Sequence, residues 1–221
     1  MKHIVVDLEM NTIPKSTVAR KYCGCETIEI GAVMLDDNMQ EISSFRTYVK
    51  PEYSSSIANN IRKLTGITNE MVENAPLFND AFRMFTNWCQ GTGDEVTLYA
   101  WSQCDYDQIV KEIVLKDYQY SDTEWDLIEN SFSDIQLLFD EKIGFERATS
   151  LKNAVNMAGL DFSGREHDAL DDARNTADLL RILSDEKLFN KNLKSIEDVM
   201  KPKQGGFCLG DLFDLSGFAI A

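Results

Sequence analysis

The chain has 221 residues, 43% of them apolar and 10% aromatic, and it carries a formal charge of −15. These values exclude a disordered chain and give one α/β domain enough apolar material for a core of its own. The acidic balance excludes a protein that coats long duplex nucleic acid by counterion release, but it suits an enzyme whose acids hold cations that then meet phosphate.

No apolar run approaches the length of a membrane span, and the N-terminus lacks a signal-peptide pattern. The five cysteines are Cys23, Cys25, Cys89, Cys104 and Cys208. Only Cys23 and Cys25 are close, and no second pair or nearby histidine completes a zinc-type spacing. Reduced thiols in a cytoplasmic protein without membrane contact are therefore expected.

In chain order, Ile4-Val5-Val6 predicts a buried strand that runs on through Asp7-Leu8-Glu9. Side chains alternate along a strand, so Asp7 and Glu9 share a face. Two adjacent carboxylates are costly without a cation, and Mg²⁺ and Mn²⁺ prefer such oxygen ligands. A strand end with one solvated acid accounts equally well for this pair alone. A polar stretch broken by Pro14 follows, with Lys15, Arg20 and Lys21 as scattered bases. Residues 27–35 alternate and predict a second strand; Asp36-Asp37-Asn38 makes a turn, and residues 44–49 give a third strand. Three strands on short turns form an antiparallel meander.

The pattern then becomes helical. Residues 57–64 predict one helix, and Thr68 caps a short second one through Val72, with Met71 and Val72 facing inward. Ala81, Phe82, Phe85, Trp88 and Cys89 recur at helical spacing up to Gly91. Residues 96–101 read as a fourth strand. Ile109, Val110, Ile113 and Val114 define the inner face of the next helix. Ile135, Leu138 and Phe139 mark another helix, residues 151–158 a further one, and Leu170, Ala173, Ala177 and Leu180 a long amphipathic one. A meander followed by strand–helix alternation predicts one α/β domain on a mixed sheet.

Two later acidic positions stand out. Asp105 follows the fourth strand at a strand-to-helix turn, where α/β sheets build ligand sites; helix capping is an alternative role. Asp107, two residues on, competes with it. In Glu166-His167-Asp168-Ala169-Leu170-Asp171-Asp172, Asp168 is a natural helix cap, and Asp171 competes with Asp172 for an inward position. The chain has two histidines, and His3 opens the first strand, so His167 is the plausible imidazole base.

The order Asp7-x-Glu9, Asp105 after a strand, and His167-x₄-Asp172 resembles the DEDDh branch of the DnaQ-like 3′-5′ exonucleases. Glu26-Thr27-Ile28-Glu29-Ile30-Gly31-Ala32-Val33 is similar to that family's second strand. Leu64-Thr65-Gly66-Ile67-Thr68 is similar to its nucleotide-contacting loop, and Trp101-x₃-Asp105 resembles the variant of the KapD/ERI-like members. The likeness covers roughly residues 4 to 183. It implies a ribonuclease H-like α/β fold: a five-stranded mixed sheet, antiparallel meander then parallel strands, flanked by helices. It implies that Asp7, Glu9, Asp105 and Asp172 hold two Mg²⁺ or Mn²⁺ ions, with Glu9 and His167 catalytic and His167 the general base. Leu8, Met10, Leu64, Thr65, Gly66 and Ile67 would contact the terminal nucleotide of single-stranded RNA or DNA 3′ ends, RNA being favoured. The products would be nucleoside 5′-monophosphates. Asp-Leu-Glu-Met also resembles the oligoribonucleases, which gives short RNA as an alternative substrate. A non-catalytic nucleic-acid-binding module is the alternative of another class.

The expected organisation is an exonuclease domain over residues 1–185 and a helical extension with an apolar tail over 186–221. The tail carries Phe207, Leu209, Leu212, Phe213, Leu215, Phe218 and Ile220. Such residues are expected to pack on the domain or on a second subunit.

Overall fold

The computed structural model describes residues 1–91 and 93–192. Five strands, β1 (Lys2–Thr12), β2 (Cys25–Leu35), β3 (Glu41–Tyr48), β4 (Val96–Ala100) and β5 (Phe132–Asp134), form one sheet in the order β3-β2-β1-β4-β5. The β1–β2 and β2–β3 pairs are antiparallel, and β1–β4 and β4–β5 are parallel. This is the expected meander followed by parallel strands.

Among the described residues, eight α-helices up to Ser184 accompany the sheet: α1 (Asn59–Thr65), α2 (Asn69–Glu73), α3 (Phe78–Gln90), α4 (Gln103–Leu115), α5 (Asp122–Glu129), α6 (Ile135–Ile143), α7 (Leu151–Met157) and α8 (Ala169–Ser184). The alternation of β1 decides which helices lie on which face. Ile4, Val6 and Leu8 point to one face and pack with Phe82 and Phe85 of α3 and Ile109 of α4. Val5 points to the other face and packs with residues of α6, α7 and α8. Asp7 and Glu9 follow Val5 in phase, so both belong to the α8 face.

Four expectations from periodicity fail in instructive ways. Val114 and Leu138 are exposed, and so is Met71, whereas Val72 is buried. The inward positions of α4 are Asp105, Gln108, Ile109, Glu112 and Ile113, a clean helical face in which three members are polar. Apolar counting therefore misplaced its phase and drew in Val114. The polar members are satisfied inside: Glu112 accepts from the Thr27 amide and ion-pairs with Lys116 at 2.8 Å. The fourth miss is a whole unit, α5 with β5. Ser121 and Glu124 form a reciprocal capping box at its start, a signal present in Ser-Asp-Thr-Glu. Strand β5 has only three residues, too few to show a period.

Residues 186–192 are helical, with Phe189 buried in the α6–α8 cluster. The Asn192 amide donates to the Ala158 carbonyl at 2.9 Å. The apolar tail expected to pack on the domain or a second subunit lies outside the described residues. No helix among the described residues is long and apolar enough to cross a membrane.

One glycine sets the distance between α8 and the sheet. Gly31 of β2 pairs with Asp7, and a Cβ there would lie 2.3 Å from the Ala169 carbonyl carbon and the Leu170 nitrogen. Those are backbone atoms, so the helix itself would have to move. Gly31→Ala should therefore destabilise the fold by about 1–3 kcal/mol, the usual cost of overpacking. Urea denaturation measures this; an unchanged midpoint would mean that α8 is not held against β2.

Candidate active site

Three elements deliver the acidic residues to one place. Asp7 and Glu9 come from the middle of β1, just before the β1–β2 register shifts between Glu9 and Met10. Such irregularities re-aim side chains next to sites. Asp105 comes from the first turn of α4. Its helix is capped by Ser102, so Asp105 does not serve as the cap and its carboxylate turns inward to accept from the Leu8 amide at 3.3 Å. Asp172 comes from the first turn of α8 and accepts from the His167 amide at 3.1 Å. Glu9, Asp105 and Asp172 are buried, and Asp7 is partly exposed.

The competing acids are elsewhere engaged. Asp107 is half-buried and lies 3.6 Å from Lys111 one turn on. Asp171 accepts from the Arg165 amide at 2.9 Å, and Asp168 is the α8 cap, accepting from the Asp171 amide at 3.3 Å. His3 is buried against the Tyr99 hydroxyl at 3.2 Å. His167 remains: one ring nitrogen and single carboxylate oxygens of Glu9 and Asp172 all lie within 4.8 Å of one another. His167 and Asp172 also line a groove of about 190 Å³ with Ser150, Lys152, Phe162 and Glu166.

Burial and mutual repulsion mark the cluster. Burial, then the charges of Asp105, Asp172, Glu9 and Glu29, raise the Asp7 pKa well above the usual carboxylate range. Glu9 is pushed up to about 8, by burial first and then by Asp172 and Glu29. Burial raises Asp105 to about 7 against the opposing Leu8 amide, and Asp172 to about 7 against the His167 amide. Asp172 Oδ1 is buried and lacks a hydrogen-bond partner among the described residues. An orphaned carboxylate oxygen among three further acids is the donor set of a hard divalent cation, so these residues fit such an ion.

The residues expected to meet a nucleotide divide by accessibility. Leu64 is exposed. Thr65 is buried, donating to the Ile61 carbonyl at 3.0 Å and accepting from the Ile67 amide at 3.1 Å. Gly66 ends α1 at φ 70°, and Ile67 is buried with Ile28, Ile57 and Val72. Leu8 packs in the core and Met10 against it, on the face opposite the carboxylates. The Leu64 side chain is thus open to the surface, whereas the Leu8 and Ile67 side chains are not.

Sequence reading missed a support for the cluster. Glu29 is paired with Glu9 across β1–β2 and is buried. Arg46 of β3 donates to Glu29 Oε1 and to Asp168 Oδ2, each at 2.7 Å. The Ala169 amide donates to Glu29 Oε2 at 3.4 Å. The signal was an acid inside the apolar run Ile28-Glu29-Ile30, on the same side of the sheet as Glu9.

A sequence model of the family described as Exonuclease (RNase_T) matches residues 4–180. Among curated proteins, ERI1 exoribonuclease 2 of Xenopus laevis is 28% identical over 81% of this chain and 28% of its own length. The 3′-5′ exonuclease eri1 of Schizosaccharomyces pombe is 25% identical over 74% of this chain and 62% of its own. The chain thus spans from about a quarter to three fifths of these relatives. Among solved structures, the nuclease domain of 3′hExo, a DEDDh family member bound to rAMP, superposes with a TM-score of 0.72 at 22% identity, covering 84% of this chain and 92% of that one. Cell-death related nuclease 4 superposes with a TM-score of 0.68 at 21% identity, over 86% of this chain and 64% of that one. These likenesses establish the ribonuclease H-like fold.

The pKa shifts set a stability profile. Carboxylates raised in the fold stabilise it while protonated, below their ordinary values, and that contribution is lost as pH rises through about 7–8. His3, held below its ordinary 6.5 by burial, acts only under that pH. In chelator, the melting temperature should therefore fall between pH 6.5 and 8.5. Glu9→Gln or Asp105→Asn should flatten the fall, and a divalent cation at pH 8.5 should reverse it. A flat profile for the chelated wild type would show that the acids are not crowded.

Proposed function

The chain belongs to the RNase_T exonuclease family, and from that membership we propose that it is a metal-dependent 3′-5′ exonuclease acting on single-stranded nucleic acid, RNA in preference to DNA. The observation that carries this reading is the convergence of Asp7, Glu9, Asp105 and Asp172 beside His167, with an unpartnered oxygen on Asp172. The exoribonuclease names of the curated relatives support the preference for RNA.

Asp7, Glu9, Asp105 and Asp172 would hold two Mg²⁺ or Mn²⁺ ions, which when bound supply Lewis-acid activation of water and of the phosphate and offset the acids' charge. The protein's own part is positional. The Leu8 and His167 amides fix the carboxylates of Asp105 and Asp172. The exposed Leu64 and the turn at Gly66 receive the terminal nucleotide through apolar and backbone contact, which reads no base sequence. His167 takes the proton of the attacking water at a ring nitrogen. The new P–O bond forms as the bond to the preceding nucleotide's O3′ breaks, and a nucleoside 5′-monophosphate leaves. The charge of −15 favours short strands over long ones, which keeps an oligoribonuclease-like substrate as the second reading.

Purified protein with Mn²⁺ and 5′-labelled RNA and DNA of several lengths tests this. A ladder growing from the 3′ end with released mononucleotides is expected. Asp7→Asn, Glu9→Gln, Asp105→Asn and Asp172→Asn should each nearly abolish it, whereas Asp107→Ala should cleave like wild type. An inactive Asp107→Ala beside an active Asp105→Asn would reassign the α4 ligand.

His167→Ala should lower the rate by roughly 10²–10⁴-fold, the usual worth of a positioned base, while still binding Mn²⁺ and RNA. Cation titration followed by melting temperature separates this from a ligand role. A variant that loses cation binding yet keeps its rate in excess Mn²⁺ would make His167 a ligand.

A further inference from the structure

The segment that presents His167 is held in an improbable shape. Gly164 has φ 76° and His167 itself φ 62°, a left-handed conformation that side-chain-bearing residues seldom adopt. Such a backbone persists where its surroundings over-determine it. The flanking residues supply that constraint. Asp168 is bound by Arg46 of β3 at 2.7 Å, and Glu166 by Lys152 of α7 at 2.6 Å. Arg165 reaches elsewhere. Its Nη2 donates to the Leu64 carbonyl at 2.9 Å, and its own amide donates to Asp171 at 2.9 Å. Its guanidinium fills the space that Gly66 leaves open, since a Cβ on Gly66 would lie 2.1 Å from Nη1.

Arg165 thus ties two loops separated by a hundred residues of chain. One receives the nucleotide terminus in the reading above, and the other carries the base. We propose that Arg165 is a positioning residue, which docks the His167 loop on the Leu64–Gly66 turn so that a seated 3′ end and the His167 ring hold one fixed geometry. The proposal rests on the exonuclease reading. A planar guanidinium suits this task because it offers several donors in a rigid fork, whereas lysine offers one mobile ammonium. Arg165 is exposed, so its truncation leaves the core intact.

The test compares wild type, Arg165→Ala, Arg165→Lys, His167→Ala and the Arg165→Ala/His167→Ala double variant on single-stranded RNA in excess Mn²⁺, with melting temperatures alongside. Arg165→Ala should lower kcat by roughly 10- to 100-fold, the scale of a misplaced catalytic group, with KM and melting temperature nearly unchanged. Arg165→Lys should restore part of the rate. In the His167→Ala background the same change should cost about twofold or less, because coupled residues are not additive. An equal loss in both backgrounds, a loss in KM alone, as a direct phosphate contact would give, or an unchanged kcat would each overturn the proposal while leaving the exonuclease reading intact. A wild type that releases no mononucleotide would overturn both.

Discussion

Four carboxylates gathered in a water-poor corner repel one another, and the elements around them are arranged to contain that repulsion. No single element could hold them all, so they come from β1, α4 and α8. Backbone amides aim two of them, those of Leu8 and His167. Arg46 removes the charge of Glu29 from the balance and secures the α8 cap at the same time. What these contacts leave uncompensated is negative charge that an external cation would balance, and burial beside other carboxylates raises the pKa values of Glu9, Asp105 and Asp172.

The same protein solves the opposite problem further along α4, toward its C-terminal end. Glu26 and Glu112 are fully buried there, but Lys116 lies among them at 4.0 and 2.8 Å, with Glu52 at 3.1 Å. Glu26 also accepts from the Glu52 and Tyr53 amides at 2.7 and 3.1 Å. The counter-charge is built into the chain, so this cluster is closed, and removing one partner would leave an uncompensated buried charge. Helix α4 therefore carries an open acidic site at its first turn and a sealed one two turns later. A lysine makes the difference between structure and chemistry.

The sheet and the five candidate site residues were legible because strands β1 and β2 are long, β4 is a compact apolar run, and Asp7-x-Glu9 and His167-x₄-Asp172 keep short, fixed spacings. Asp105 was separable from Asp107 only by its distance from Trp101; the fold supplies the reason, since Asp105 shares an inward face with Ile109 and Glu112. Polar residues on that face hid the helix phase. The supports were not legible. Arg46, Glu29 and Arg165 act across strands or between distant loops, and nothing local in Arg46-Thr47 or Gly164-Arg165 announces a partner. Residues 64–67 illustrate the same limit: their motif was visible, but which of them bury their side chains depends on Ile28, Ile57 and Val72.

The close seat of α8 on Gly31 has a consequence for the newborn chain. Asp7 and Glu9 are made well before Asp172 and His167, which reach the sheet only when α8 docks. Chains form from the N-terminus, and pairings this distant in sequence close late. A polypeptide made only as far as β5 therefore holds Asp7, Glu9 and Asp105 but lacks Asp172 and His167. The acidic cluster is therefore completed in one step, when α8 docks, and a chain that stops short of α8 holds no complete cation site.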